Sequence, residues 1–310
     1  MTESDLKVIY IMGPARSGST LLGMLLGELD GFFNAGELST LWRLQPADRC
    51  GCGEPHESCV VWSKLLHDRS VVSSFLRTLL EGGGTGVGRA ARLRQTLRFR
   101  PGQPTGLPEL DERVGLLNAL YRGITDETGA RVIVDDAKFS LGAAHLRLMA
   151  GFSVGVVHLV RDPRAVAYSM QWKEGGAIVG PFTGWGAGRS TRMWLQSAVS
   201  GTLVRRAYGA NRSLLLRYED FVANPSRWLT EIARLVGESP ARLPLVNHHV
   251  ARFRLQHTVD GNPHRFKTGD VEIVDRREWL LKMTGPDRAL VTAQTLPFLV
   301  RYGYPIWPRG

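Results

Sequence analysis

Gly13, Arg16, Ser17, Gly18, Ser19 and Thr20 stand close together near the start of the chain. They are the residue types that grip an anion. The spacing Gly13-x-x-x-x-Gly18-Ser19-Thr20 is that of the phosphate loop of nucleotide triphosphatases, in which loop and helix N–H groups converge on one phosphate. That loop uses a lysine where this chain has Ser19. Backbone amides, hydroxyls and one arginine suit a group less charged than a triphosphate–metal complex. The carboxylates available for a Mg²⁺ ion are Asp135 and Asp136.

A second chemical cluster is Cys50-Gly-Cys52-Gly-Glu-Pro-His56-Glu-Ser-Cys59, which holds all three cysteines. The odd count argues against a secreted disulfide framework. Three readings stand: zinc held by the cysteines with His56, a local disulfide, or plain thiols in a glycine-rich turn.

These residues need elements to position them. Val8 to Met12 is an apolar run that reads as a buried strand entering the loop. Leu21, Leu22, Leu25, Leu26 and Leu29 form the stripe of a helix leaving it, and Asp30-Gly31 ends that helix. Helices are expected over Val61–Leu80, Leu110–Thr128, Ser140–Met149, Thr191–Tyr208, Pro225–Val236 and Pro286–Tyr302. Strands are expected at Arg131–Val134, Val154–Val160 and Ser213–Arg217. Asp162 and Pro163 read as N-cap and first residue of a helix running to about Trp172. His158, inside an apolar strand, reads as a satisfied core residue. Residues 81–107 are rich in Gly, Arg and Pro and read as an irregular, lid-like insertion.

Strands separated by helices predict βαβ units and a mainly parallel sheet in one domain over 1–310. Ligands of such sheets bind beyond the carboxyl ends of the strands. Gly13–Thr20, Asp135–Lys138, Arg161–Arg164 and Tyr218–Asp220 all lie there.

The net charge of +10 suits an anionic ligand or a solvated basic surface. No Lys/Arg block is long enough for a nucleic-acid arm, and no apolar run approaches the roughly 20 residues of a membrane span. The polar, acidic Met1–Asp5 is no secretory signal, so a cytoplasmic location is expected.

Gly13-Pro-Ala-Arg-Ser-Gly-Ser-Thr-Leu-Leu22 resembles the 5′-phosphosulfate loop of sulfotransferases that use 3′-phosphoadenosine 5′-phosphosulfate (PAPS), in particular the carbohydrate and bacterial types. His158-Leu-Val-Arg-Asp-Pro-Arg-Ala-Val-Ala-Tyr-Ser169 is similar to the family's 3′-phosphate motif. Leu216–Pro225, the loop His257–Gly269 followed by Trp279, and the Cys-Gly-Cys-Gly…Cys59-x-x-Trp62 segment also resemble family segments, in the right order.

The resemblance implies a P-loop-like three-layer α/β sandwich and transfer of a sulfuryl group from PAPS to a hydroxyl, with no metal required for that step. It implies that Arg16, Ser17, Gly18, Ser19 and Thr20 bind the 5′ end of the donor. Arg161 and Ser169 would take the 3′-phosphate, with Arg265 as a third contact. Tyr218 would pack on the adenine or in the core. Glu37 is the expected base, with Gly36 allowing a close backbone approach. Lys138 is expected to assist departure of the donor's bridging oxygen, oriented by Asp135 or Asp136, and Arg16 to stabilise developing charge. The acceptor pocket is expected to involve 172–185 or the Arg-rich stretch. The alternatives are a small-molecule kinase and a non-catalytic nucleotide-binding protein.

Overall fold

Strand β1 (Leu6–Met12) runs through the middle of the molecule, with Val8 to Met12 at most 2% exposed. The computed structural model describes residues 6–45, 47–66, 86–171 and 184–308. β1 lies between β3 (Val132–Lys138) and β4 (Phe152–Val160), with β2 (Phe32–Gly36) and β5 (Ser213–Arg217) outside them. All pairings are parallel, in the order β2-β3-β1-β4-β5.

The two-residue period of β1 sorts the layers. Val8, Tyr10 and Met12 face a core with Tyr121, Ile124 and Ala143. Ile9 and Ile11 face the other core, with Leu22, Leu25 and Leu26 of the first helix (Ser19–Gly27) and with Leu229 and Ile232. Each fully buried leucine contributes about 1.5–3 kcal/mol. The expected sandwich of helices on both faces of a parallel sheet is therefore present.

Some elements lie outside the expected ones, and others need revision. Phe32–Gly36 is a full edge strand, although as a short run it lacked a legible period. A separate antiparallel sheet forms from β6 (Leu245–Asn247), β7 (Val250–Phe253) and β8 (Gly269–Glu272), strands too short to register as alternation. Within 81–107, expected to be irregular, a helix spans Gly86–Thr96. It turns Leu93 and Thr96 inward, both 4% exposed, a stripe that its arginines and glycines hid. Of the expected helix Val61–Leu80, Trp62–Leu65 is helical, and 67–80 lies outside the described residues. So does most of the 172–185 loop.

The helix Pro163–Gln171 begins as expected, with Asp162 Oδ1 accepting from the Arg164 N–H at 2.9 Å. Arg164 is a structural tie rather than a ligand. It is fully buried, pairs with Asp162 through Nη2 at 2.7 Å, and donates to the Pro305 and Ile306 carbonyls.

His158 is a core residue, but not a satisfied one. It is fully buried and neither ring nitrogen has a hydrogen-bond partner among the described residues. Gly201 makes room for it, since a Cβ there would stand 2.5 Å from the ring. Burial, then the nearby Arg205, push its pKa down to about 3. An unfolded histidine titrates near 6.5. Between those values the unfolded chain binds a proton that the folded chain does not, so this contribution to stability is lost as pH falls through the window. His145 acts in the same sense, lowered to about 4 by burial and Arg113. Asp135 and Asp136, raised to about 7, act in the opposite sense. The clean readout is therefore a difference. His158→Leu minus wild type should shift steadily in favour of the variant as urea denaturation is repeated from pH 6.5 down to 4; a flat difference would contradict the buried neutral ring.

Candidate functional site

The candidate anion loop leaves β1 at Gly13, whose N–H donates to the Lys138 carbonyl at 3.1 Å. This bond ties the loop to the end of β3. A Cβ on Gly13 would lie 2.0 Å from the Leu159 carbonyl oxygen, so only glycine passes between these strand ends. Arg16 (φ 66°) and Gly18 (φ 90°) are both left-handed. Alternating hand is the geometry that turns successive N–H groups to one side, as an anion nest requires. The first helix starts at Ser19 with no side-chain cap, which leaves its first amides for a ligand. The Ser17 hydroxyl is buried and has no partner among the described residues. A buried polar group of this kind calls for a bound acceptor.

Glu37 and Lys138 form an ion pair, with side chains 13% and 14% exposed. Glu37 is placed there by β2, whose carboxyl end is Gly36, and Lys138 by the end of β3. Lys138 is itself left-handed at φ 72°, a conformation that costs a non-glycine residue about 1–2 kcal/mol. Strain of this kind concentrates at functional sites. Burial works to lower the Lys138 pKa, but Glu37, Asp136 and Asp260 outweigh it and hold the lysine charged.

The loop Gln256–Arg265 closes over this pair. Glu37 N–H donates to the Asp260 carbonyl at 3.2 Å, and Val259 N–H to Ala35 at 2.9 Å. Gly36 does permit a close approach, and what approaches is this loop: a Cβ at Gly36 would stand 2.6 Å from the Asp260 oxygen. The position a Cβ would take on Gly261 lies 3.7 Å from Thr20 Oγ1, 3.8 Å from Arg265 Cδ and 3.9 Å from Glu37 Oε1. The anion loop, the carboxylate and Arg265 thus border one point. Arg265 also pairs with Asp260 at 3.4 Å. Asp136, on β3, completes the charge cluster with a buried Oδ1 that lacks a hydrogen-bond partner among the described residues. Burial raises its pKa to about 7; Lys138 and Arg265 oppose the rise, and Glu37 and Asp260 add to it. Asp135 is removed from this cluster by its own bonds, accepting from Tyr121 OH at 2.5 Å and Ala137 N–H at 2.9 Å.

On the other side of the loop, Arg161 Nη1 donates to the Arg16 carbonyl at 3.1 Å and Nη2 to Arg276 at 3.4 Å. Its guanidinium lies over the Tyr218 ring at 4.6 Å from the centroid. Tyr218 is 8% exposed, and its hydroxyl donates to Val274 at 3.1 Å. Its ring edge packs against Gly18, where a Cβ would be 2.4 Å away. Tyr218 therefore joins the anion loop to Arg161. Ser169 sits half-buried on the helix Pro163–Gln171.

The loop residues, Glu37, Lys138 and Arg265 are thus brought together, and Arg161 and Tyr218 adjoin them. Asp260 and Gly261 lie in the loop His257–Gly269 noted in the sequence, but no role was expected of either or of Arg276. The Asp-Gly pair in a polar loop was a further available signal.

No helix among the described residues is long and apolar enough to cross a membrane. No family model matches the sequence, and no curated protein sequence does. Solved structures do match the fold. The sulfotransferase domain from the curacin biosynthetic pathway aligns with a TM-score of 0.54 at 14% identity, covering 96% of this chain and 98% of its own. The sulfotransferase domain of the Synechococcus PCC 7002 olefin synthase aligns with a TM-score of 0.56 at 20% identity, covering 99% and 97%.

Proposed function

From the premise that this chain has the fold of a sulfotransferase domain, we propose that it is an enzyme moving a sulfuryl group from PAPS to a hydroxyl of a small-molecule or carbohydrate acceptor. The observation that carries the reading is the meeting of Glu37 and Lys138 beside a loop whose Ser17 hydroxyl is buried without a partner among the described residues.

The chemistry asks for two things at one point: a base for the acceptor proton and donors for the leaving phosphate. A bond forms between the acceptor oxygen and sulfur while the bond from sulfur to the 5′-phosphate oxygen breaks. Glu37 takes the hydroxyl proton. The electron pair stays on the phosphate oxygen, where Lys138, Arg16 and the hydroxyls of Ser17, Ser19 and Thr20 stabilise it with the Gly18 region amides. Arg161, backed by Tyr218, takes the 3′-phosphate, with Ser169 and Arg265 as further contacts. In the free enzyme Glu37 and Lys138 neutralise each other. A donor oxygen that draws Lys138 away leaves Glu37 free to accept a proton.

A thermal-shift comparison tests this reading. Adenosine 3′,5′-bisphosphate at about a hundred times its Kd adds about 2.7 kcal/mol of stability, which for a chain of this size raises Tm by roughly 5 °C. Stabilisation by ATP–Mg²⁺ and none by the bisphosphate would instead indicate a kinase.

A further inference from the structure

His56, the histidine nearest the cysteines in sequence, does not face them. Its ring nitrogens lie 3.1 Å from the Asp48 carbonyl and 2.7 Å from the Val259 carbonyl, so neither is turned toward a thiol. The imidazole that does meet the cysteines comes from the closing loop, far along the chain. His257 Nδ1 lies 3.3 Å from Cys59 Sγ and 4.0 Å from Cys50 Sγ, and the two sulfurs are 3.5 Å apart. With Cys52, all four donor atoms fall within 4.8 Å of one another.

We propose that Cys50, Cys52, Cys59 and His257 hold one zinc ion as a closed, structural Cys₃His site that fastens the closing loop beside the candidate active site. Zinc–sulfur bonds of about 2.3 Å and zinc–nitrogen bonds of about 2.0–2.1 Å in a tetrahedron place sulfurs about 3.8 Å apart and sulfur about 3.6 Å from nitrogen. The separations found here are close to those edges. Three thiolates and an imidazole are soft donors that favour zinc over magnesium or calcium. A disulfide between Cys50 and Cys59 would use two of the four groups and leave the convergence of Cys52 and His257 without a role. Four protein donors leave no open position, so the site is structural rather than catalytic.

The surroundings are built to keep the donors in place. Trp62 Nε1 donates to the His257 carbonyl at 2.6 Å, and Gly51 N–H to the Thr258 carbonyl at 2.8 Å. Gly51 admits no side chain, since a Cβ would lie 2.3 Å from Thr258 Oγ1. Cys50 N–H donates to Glu54 and Gly53 N–H to Cys50, closing the cysteine turn on itself. Two residues past His257, the loop reaches Val259 and Asp260, which bond to Ala35 and Glu37. The ion therefore crosslinks the cysteine turn to the segment that orders Glu37, Asp260 and Arg265.

Metal content tests the site independently of PAPS turnover, so failure of either reading leaves the other standing. Plasma mass spectrometry on the full chain, purified from zinc-supplemented cells without chelator, should find about one zinc per chain. Titration of the folded wild type with an organomercurial should release it as the three thiols react. His257→Ala and Cys59→Ser should lose the ion, and His56→Ala should keep it. Cys59 is buried and its variant can fail to fold, so cobalt exchange into the wild type gives a second measurement. Thiolate-to-cobalt charge transfer with intense tetrahedral d–d bands is the expected spectrum. A wild type without zinc, a Cys50–Cys59 disulfide in its place, a cobalt spectrum lacking thiolate bands, or zinc retained in His257→Ala and lost in His56→Ala would each overturn the assignment.

Discussion

Glu37→Gln is expected to lower turnover about 10²–10⁴-fold with any hydroxyl acceptor that the wild-type chain sulfates, the usual worth of a positioned general base. Glutamine keeps the length of the side chain and an acceptor oxygen for Lys138. What it removes is the capacity to take a proton. Donor affinity should change far less than kcat, because Glu37 belongs to the acceptor side of the reaction. The substitution also takes a negative charge from a cluster in which Glu37 helps to raise Asp136, so the Asp136 pKa should fall. Lys138→Ala should be damaging as well. The double variant should lose less than the two single losses combined, as happens when two groups act as a unit. Steady-state kinetics with purified variants of unchanged Tm decide the matter. Turnover of Glu37→Gln within tenfold of wild type would remove Glu37 from the role of base.

Gly18→Ala should cost about 2–5 kcal/mol of stability and weaken bisphosphate binding along with it. Two effects add. The left-handed conformation at φ 90° penalises a Cβ by about 1–2 kcal/mol. The added methyl would also stand 2.4 and 2.5 Å from Tyr218 Cδ2 and Cε2, an overpacking that typically costs about 1–3 kcal/mol. The ring has little freedom to withdraw, since its hydroxyl is tied to Val274 and it carries the Arg161 guanidinium. Moving it moves Arg161, which in turn bonds to the Arg16 carbonyl. Urea denaturation and bisphosphate titration measure the two losses. Adding Tyr218→Ala to the variant should recover part of the loss that comes from the clash. A stability change under about 0.5 kcal/mol, the range of an ordinary surface substitution, would mean that the loop relaxes freely.

Much of the fold was legible from residues alone, because its signals are local. The apolar run Val8–Met12, the leucine stripe after Gly18 and the Asp162-Pro163 helix start each declare one element within a few residues. Those elements, in order, imply the parallel sheet and the end of it where a ligand binds. Phe32–Gly36 and the β6-β7-β8 sheet escaped because their partners lie far along the chain, and a strand of three to five residues has no period of its own. The helix Gly86–Thr96 escaped because two inward residues were outnumbered by arginine and glycine.

The site divides in the same way. The loop Gly13–Thr20 is a contiguous motif, and its residue types alone raised the expectation of an anion, with Ser19 in place of lysine arguing for a group other than a triphosphate. Whether Glu37 faces that loop depended on β2 pairing with β3, which sets Gly36 in register with Asp135 and lets the Glu37 side chain meet Lys138. The exchange of His56 for His257 among the cysteines depended on the closing loop folding back onto β2. Tyr218 beneath Arg161, and His158 buried without a partner, are likewise facts of packing between distant segments. The sequence by itself determined the elements and the motif chemistry, since backbone propensity and residue type act over a few neighbours. Only the tertiary structure decided which charges meet and which polar atoms are left dry, since both depend on distance in space and on exclusion of water.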